Sequence, residues 1–292
     1  MPPFQQQKSL KELCTFGIGG TARFFVEVRT IPEMQMALRT CKDKKIPFFI
    51  LGKGSNCLFS DQGFDGLVIL NKIDFVTKVQ PEIFHVGAGY SFSLLGAQTA
   101  RQGWTGLEFA SGIPASVGGA VFMNAGANGT ETWATLLSVD FVNPDGILQT
   151  FTKEQLEFSY RFSSFHHLPG AIVGAKFKLE PSTSAREKQL QIIHYRKATQ
   201  PYGHKSAGCI FRNPACGYAG ALIQESGLKG VTFGGAQIST LHANFIINSD
   251  NATAKDVLTL ISHIQDEVYK KTGILLESEV RIVQTPDQIM EK

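Results

Sequence analysis

The spacing of apolar residues changes period several times along the chain, and each change marks an element. Residues 24–28 read as a strand, and behind Pro32 the positions Met34, Ala37, Leu38 and Cys41 recur at helical spacing. Residues 48–51 and 67–70 are short apolar runs of the buried-strand type, the second preceded by the turn-rich run DQGFDG. The middle third is dominated by glycine. It is followed by a strand at 136–142, the turn Asn143-Pro144-Asp145-Gly146, and a strand-like run at 171–179. Pro181-Ser182-Thr183-Ser184 is the candidate domain boundary. Beyond it, residues 185–199 read as a helix basic on one side, and 254–271 as an amphipathic helix with Val257, Leu258, Ile261, Ile264 and Val268 on one face, capped by Gly273. A last strand is expected over 274–283, with Leu276, Ser278, Val280 and Ile282 on one face and Glu277, Glu279 and Arg281 on the other.

Composition narrows the function only by exclusion. The 292 residues are 43% hydrophobic, and the net charge of +3 comes without a long basic run, so no nucleic-acid surface is expected. The first residues, MPPFQQQKSLKELC, lack the apolar segment of a secretory leader, and the longest apolar run, 46–51, is too short to span a bilayer. Five cysteines form no CxxC pair, and His166-His167, His204 and His242 have no metal-ligand spacing. The expectation is a cytoplasmic, monomeric protein with reduced thiols and no metal, nucleic-acid or membrane partner.

Two glycine-rich segments carry the first chemical signal. Gly52, Lys53, Gly54, Ser55 and Asn56 follow a buried strand directly, where backbone N–H groups and short polar side chains can surround an anion. The spacing is neither that of a Walker loop nor of the Rossmann fingerprint, and by itself the run reads equally as a tight turn between strands. The second segment, Gly112-Ile113-Pro114-Ala115-Ser116-Val117-Gly118-Gly119-Ala120, has almost no side-chain bulk. It can support a large flat ligand or serve as a close-packed crossing.

The runs TFGIGGTA from Thr15, LGKGSN from Leu51, GLEFASGIPASVGGAVFMNAGA from Gly106, YRFSSF from Tyr160, SAGCIFRNP from Ser206 and EVR from Glu279 resemble the UDP-N-acetylenolpyruvoylglucosamine reductases of peptidoglycan precursor synthesis, in order and over nearly the whole chain. No tyrosine-bearing insertion, such as some members carry over the substrate, is found in the C-terminal third. The resemblance implies an α+β fold: a vanillyl-alcohol-oxidase-type FAD-binding domain of two subdomains, 1–70 and 71–181, and a C-terminal α+β substrate-binding domain, 182–292. It implies FAD and NADPH, with hydride passing by way of the flavin to the enolpyruvyl carbon of a UDP-sugar. It places the cofactor on Gly52, Lys53, Gly54, Ser55, Asn56, Gly112, Ile113, Pro114, Ser116, Val117, Gly118, Gly119 and Ala120.

Hydride addition to an enol ether leaves negative charge beside a carboxylate, which must be stabilised and then protonated on carbon. The resemblance assigns Arg161 to the charge, Glu279 to orientation of the proton donor, and Tyr160, Arg161 and Asn213 to the substrate. A guanidinium fork suits a carboxylate. Strand alternation does not separate Glu279 from Glu277; the family motif favours Glu279. At the donor position the family has serine and this chain has Cys209. A thiol, with an ordinary pKa of about 8.5, is a far stronger acid than an alcohol; a small buried cysteine is the alternative reading. Rival functions are an FAD-dependent oxidase of the same fold and a non-enzymatic UDP-sugar-binding module.

Overall fold

The computed structural model describes residues 4–284. Its six α-helices are α1 (Ile31–Asp43), α2 (Phe92–Arg101), α3 (Val117–Phe122), α4 (Ala185–Thr199), α5 (Ala219–Glu225) and α6 (Ala254–Thr272). None is long and apolar enough to cross a membrane, and the described residues contain no group of three or more His, Cys, Asp or Glu able to hold a metal. The chain divides into two compact units. One comprises residues 4–5, Phe24–Lys53 and Gly66–Arg196; the other comprises Gln6–Arg23, Gly54–Asp65 and the chain from Lys197 onward. These cuts differ from the expected boundary at Pro181-Ser184: α4 lies almost wholly with the first unit, and two N-terminal stretches join the second.

In the first unit, α1 forms where the pattern places it. Thr30 and Glu33 make a reciprocal capping box, Pro32 sits in the first turn, and Met34, Ala37, Leu38 and Cys41 are all buried. They pack with Val26, Val28, Leu67 and Ile69. The strands Phe48–Leu51 and Phe64–Asn71 pair in parallel, with Phe48 opposite Leu67. A five-stranded antiparallel sheet follows, ordered Leu148–Thr152, Leu136–Val142, Ala171–Lys178, Ile83–Gly87, Val76–Gln80. In the strand Ala171–Lys178 a bulge, where Ile172 and Gly174 stand opposite the successive residues Phe141 and Asp140, changes which side chains take which face. Ile172 and Ala175 join a core with Phe92 of α2 and Val117, Ala120 and Val121 of α3, whereas Ala171 and Val173 join Met34 and Leu38 of α1.

The second unit has its own sheet, ordered Lys205–Cys209, Phe245–Asn248, Ala236–Ile238, Thr232–Phe233. α6 begins with a capping box of Thr253 and Asp256, while the Asp61 carboxylate accepts from the backbone N–H groups of Ala254 and Lys255. That charge sits where the helix dipole favours an anion. Val257, Leu260, Ile261, Ile264 and Val268 are buried; Leu258 is only partly so, and Gly273 ends the helix in the left-handed conformation. The expected last strand is much shorter than its alternation suggested. Only Arg281–Val283 is a strand, pairing in parallel with Cys57–Phe59. Leu276 and Val280 are buried, but the backbone of 277–279 bonds to residues 210–212, with Phe211 and Ser278 forming an isolated bridge.

Candidate active site

The LGKGSN turn leaves the strand Phe48–Leu51 and is divided between the units: Gly52 and Lys53 belong to the first, Gly54, Ser55 and Asn56 to the second. Gly54 has φ +61, and a side chain there would strike the Leu13 carbonyl oxygen. Its own carbonyl accepts from the Thr15 N–H at 3.1 Å, and that of Asn56 accepts from the Arg281 N–H at 3.1 Å. The N–H groups of Gly54 and Ser55 meet no protein acceptor among the described residues, whereas the Asn56 N–H bonds to the Cys57 thiol. Two successive unpaired amides are groups of the kind that can bind phosphate oxygens.

In the first unit, the Lys53 ammonium donates to Ser91 Oγ at 2.6 Å. Burial, with repulsion from Lys72, lowers its pKa below the ordinary lysine value. Ser91 caps α2, and Ser116 caps α3 by accepting from the Gly119 N–H at 3.3 Å; the two serines form an isolated bridge. The glycine segment therefore lies along the turn at residues 87–90, with Val117 and Gly118 donating to the Tyr90 and Ala88 carbonyls at 2.9 and 2.8 Å. Gly112 is needed for close approach, since a side chain there would collide with Arg196 of α4. Ile113 and Pro114 link Gly112 to this bridge, and Ala120 is buried on the far side of α3. Ser111 Oγ, buried beside Gly112, has no hydrogen-bond partner among the described residues. Sequence motifs pointed to the glycines but not to Ser91, which lies outside any recognisable spacing.

Tyr160 and Arg161 form the two-residue turn between the strands Phe158–Ser159 and Phe162–Ser163. Arg161 has φ +58, uncommon for a residue with a side chain, and its guanidinium lies 4.8 Å from the Tyr160 ring centroid. In the second unit, Cys209 ends its strand opposite Phe245 after a register shift, and Gly208 has φ +79. The next residue, Ile210, accepts from the Glu279 N–H at 2.7 Å, and Arg212 donates to the Glu277 carbonyl at 2.9 Å. Asn56 Nδ2 donates to the Glu279 carbonyl at 3.2 Å. The Glu279 backbone thus bonds both to Ile210, the residue after Cys209, and to the Asn56 side chain. Glu277 pairs with Arg212 at 3.7 Å and has a 75% exposed side chain. Asn213 Oδ1 accepts from the Ala219 N–H at 3.1 Å and so shapes the loop entering α5.

Known proteins match this arrangement along the chain. An FAD binding domain signature covers residues 22–152, and the C-terminal domain signature of UDP-N-acetylenolpyruvoylglucosamine reductase covers 200–283. The UDP-N-acetylenolpyruvoylglucosamine reductase of Protochlamydia amoebophila is 63% identical over 280 residues, covering 96% of this chain and 94% of the relative. That of Chlamydia muridarum is 48% identical over 283 residues, covering 96% and 95%. The crystal structure of the enzyme from Thermus caldophilus superposes with a TM-score of 0.83 at 37% identity, covering 96% of this chain and 99% of that one. The expected α+β class holds, and this chain belongs to the UDP-N-acetylenolpyruvoylglucosamine reductase family.

Proposed function

We propose that this chain reduces the enolpyruvyl ether of UDP-N-acetylglucosamine to UDP-N-acetylmuramate, as a monomer in the cytoplasm, with NADPH as reductant. The observation that carries the reading is the Glu279 backbone bonded both to Ile210, next to Cys209, and to the Asn56 side chain of the LGKGSN turn, in a chain 63% identical to a reductase of that name. Gly52, Lys53, Gly54, Ser55 and Asn56 would hold the phosphates of FAD, and the segment Gly112, Ile113, Pro114, Ser116, Val117, Gly118, Gly119 and Ala120 would support its ring system. The chemistry FAD would supply is a hydride, originating from NADPH, for the terminal enolpyruvyl carbon. In this division of labour residues 1–70 and 71–181 serve the cofactor and 182–292 the substrate.

Arg161 grips the substrate carboxylate and stabilises the charge that develops beside it. Tyr160 lines the same turn and Asn213 contacts the sugar nucleotide. The Cys209 S–H bond breaks as its proton moves to the carbon bearing the ether oxygen; the thiolate regains a proton from solvent. Glu279 orients the thiol, and its backbone N–H bond to Ile210 supports that role.

The purified protein is expected to be yellow, and titration with the enolpyruvyl sugar nucleotide to perturb its visible spectrum. Anaerobic NADPH oxidation should require that substrate. A colourless protein that binds only the UDP-sugar would overturn the reading, as would NADPH oxidation indifferent to the enolpyruvyl group.

A further inference from the structure

The run FMNAGA beginning at Phe122 follows the glycine segment and has no part in the chemistry above. Asn124 is fully buried, 0% exposed, at φ +42. Its Nδ2 donates to Glu131 Oε2 at 2.9 Å and to the Ser159 carbonyl at 2.9 Å, while Oδ1 accepts from the Trp133 N–H at 3.1 Å. Both amide hydrogens are thus committed. One meets a carboxylate, and the other meets the carbonyl just before the Tyr160-Arg161 turn.

The hairpin around Arg161 has only two residues in each strand, too few to hold its own geometry. Arg161 moreover sits in a backbone region that persists only when its surroundings fix it. Three ties do so, all from the C-terminal end of α3. Asn124 holds the Ser159 carbonyl. Ser163, also fully buried, donates its hydroxyl to the Phe122 carbonyl at 2.6 Å. The His166 ring packs between Phe122 and Phe162, with centroids 4.2 and 5.2 Å away. Of these, only Asn124 reaches the strand that enters the turn.

We infer that Asn124 is a positioning residue for the reduction: it locks the turn bearing Arg161 to the end of α3, so that the guanidinium keeps one place relative to the segment proposed to support the flavin. This rests on the assignment of Arg161 above. Asn124→Asp keeps the shape, removes both donors and sets a second carboxylate against Glu131. With FAD content and the rate of flavin reduction by NADPH within about twofold of wild type, kcat/KM for the enolpyruvyl substrate is expected to fall about tenfold, the equivalent of about 1.4 kcal/mol of lost orientation. The ratio of variant to wild-type kcat/KM should rise as pH is lowered, because a neutral aspartic acid regains one donor and like-charge repulsion places its protonation within reach.

Arg161→Lys separates the two claims. Unchanged kcat/KM in that variant would overturn the Arg161 assignment itself. If Arg161→Lys loses activity while Asn124→Asp loses none, the positioning role is overturned. It is equally overturned if the two losses add fully in the double variant, since a residue acting through Arg161 has little left to lose there. Should Asn124→Asp fail to fold, Ser163→Ala, which cuts the tie to Phe122 and the cap on the His166 N–H, is expected to lower kcat/KM about threefold to fivefold with flavin reduction intact; unchanged kcat/KM in that variant overturns the inference.

Discussion

Replacing Gly52 by alanine tests how the strand–turn junction and the cap of α3 depend on each other. The Gly52 backbone is one that alanine can adopt, so the cost comes from space. The new methyl would overlap Ser116 Oγ and come to 3.3 Å from Ser116 Cβ. The hydroxyl must swing away, and with it goes the bond from the Gly119 N–H. Losing such a cap costs about 1 kcal/mol, and the tight approach to Cβ adds a few tenths more, for a total of about 1–2 kcal/mol. Thermal unfolding followed by circular dichroism should show Tm lowered by about 2–4 °C for each kcal/mol. Ser116→Ala alone should cost about 1 kcal/mol by the same loss. In Gly52→Ala/Ser116→Ala the hydroxyl is gone already, so the double variant should match the worse single variant, a coupling of about 1 kcal/mol. Costs that simply add would refute the argument, because the methyl would then be acting on something other than the cap.

Three further outcomes follow from chemistry already described. Cys209→Ser should retain much of the turnover with the enolpyruvyl substrate and Cys209→Ala should lose it; wild-type turnover in the alanine variant would remove the thiol from the mechanism. A thiol reagent should inactivate the wild type but not Cys209→Ser, although exposed Cys216 is labelled in both. Burial pushes Cys41 up to about 11 and Cys57 up to about 12, against an ordinary 9.0, so the folded chain keeps protons that the unfolded chain releases above pH 9.0. Stability should therefore be unaffected by these thiols below that pH and fall above it, by up to about 1.4 kcal/mol per pH unit for each, and urea midpoints of Cys41→Ala and Cys57→Ala should flatten that slope. Finally, His166→Phe should preserve the ring packing between Phe122 and Phe162 but lose the Nδ1 bond to the Ser163 backbone, and so lower kcat/KM less than His166→Ala; equal effects of the two would show that packing is not what the histidine supplies.

The elements legible in sequence are those whose burial follows one simple period. Met34, Ala37, Leu38 and Cys41 face one core, and a capping box at Thr30 and Glu33 marks where the helix starts. Residues 254–271 are legible for the same reasons. The strand Val76–Gln80 escapes notice because every position in it is exposed, leaving no alternation to read. α3 escapes because two of its six residues are glycines, which argue for a loop; the serine cap and packing against the sheet override them. The opposite error occurs at 274–283, where alternation is genuine but residues 277–279 meet a loop at 210–212 and only 281–283 pair with a strand. At the site, glycine runs reveal where backbone must come close. The partners that make those approaches useful, Ser91 for Lys53 and Asn124 for the Arg161 turn, are ordinary polar residues whose importance lies in distances of 2.6 and 2.9 Å.

The parallel pairing of Arg281–Val283 with Cys57–Phe59 sets a condition on how the protein is made. The Asn56 carbonyl is held by the N–H of Arg281, a residue more than two hundred positions later. A growing polypeptide leaving the ribosome therefore carries the LGKGSN turn long before the strand that pairs beside it. On the function proposed above, a cofactor held by this turn would be captured only after Arg281–Val283 has been made.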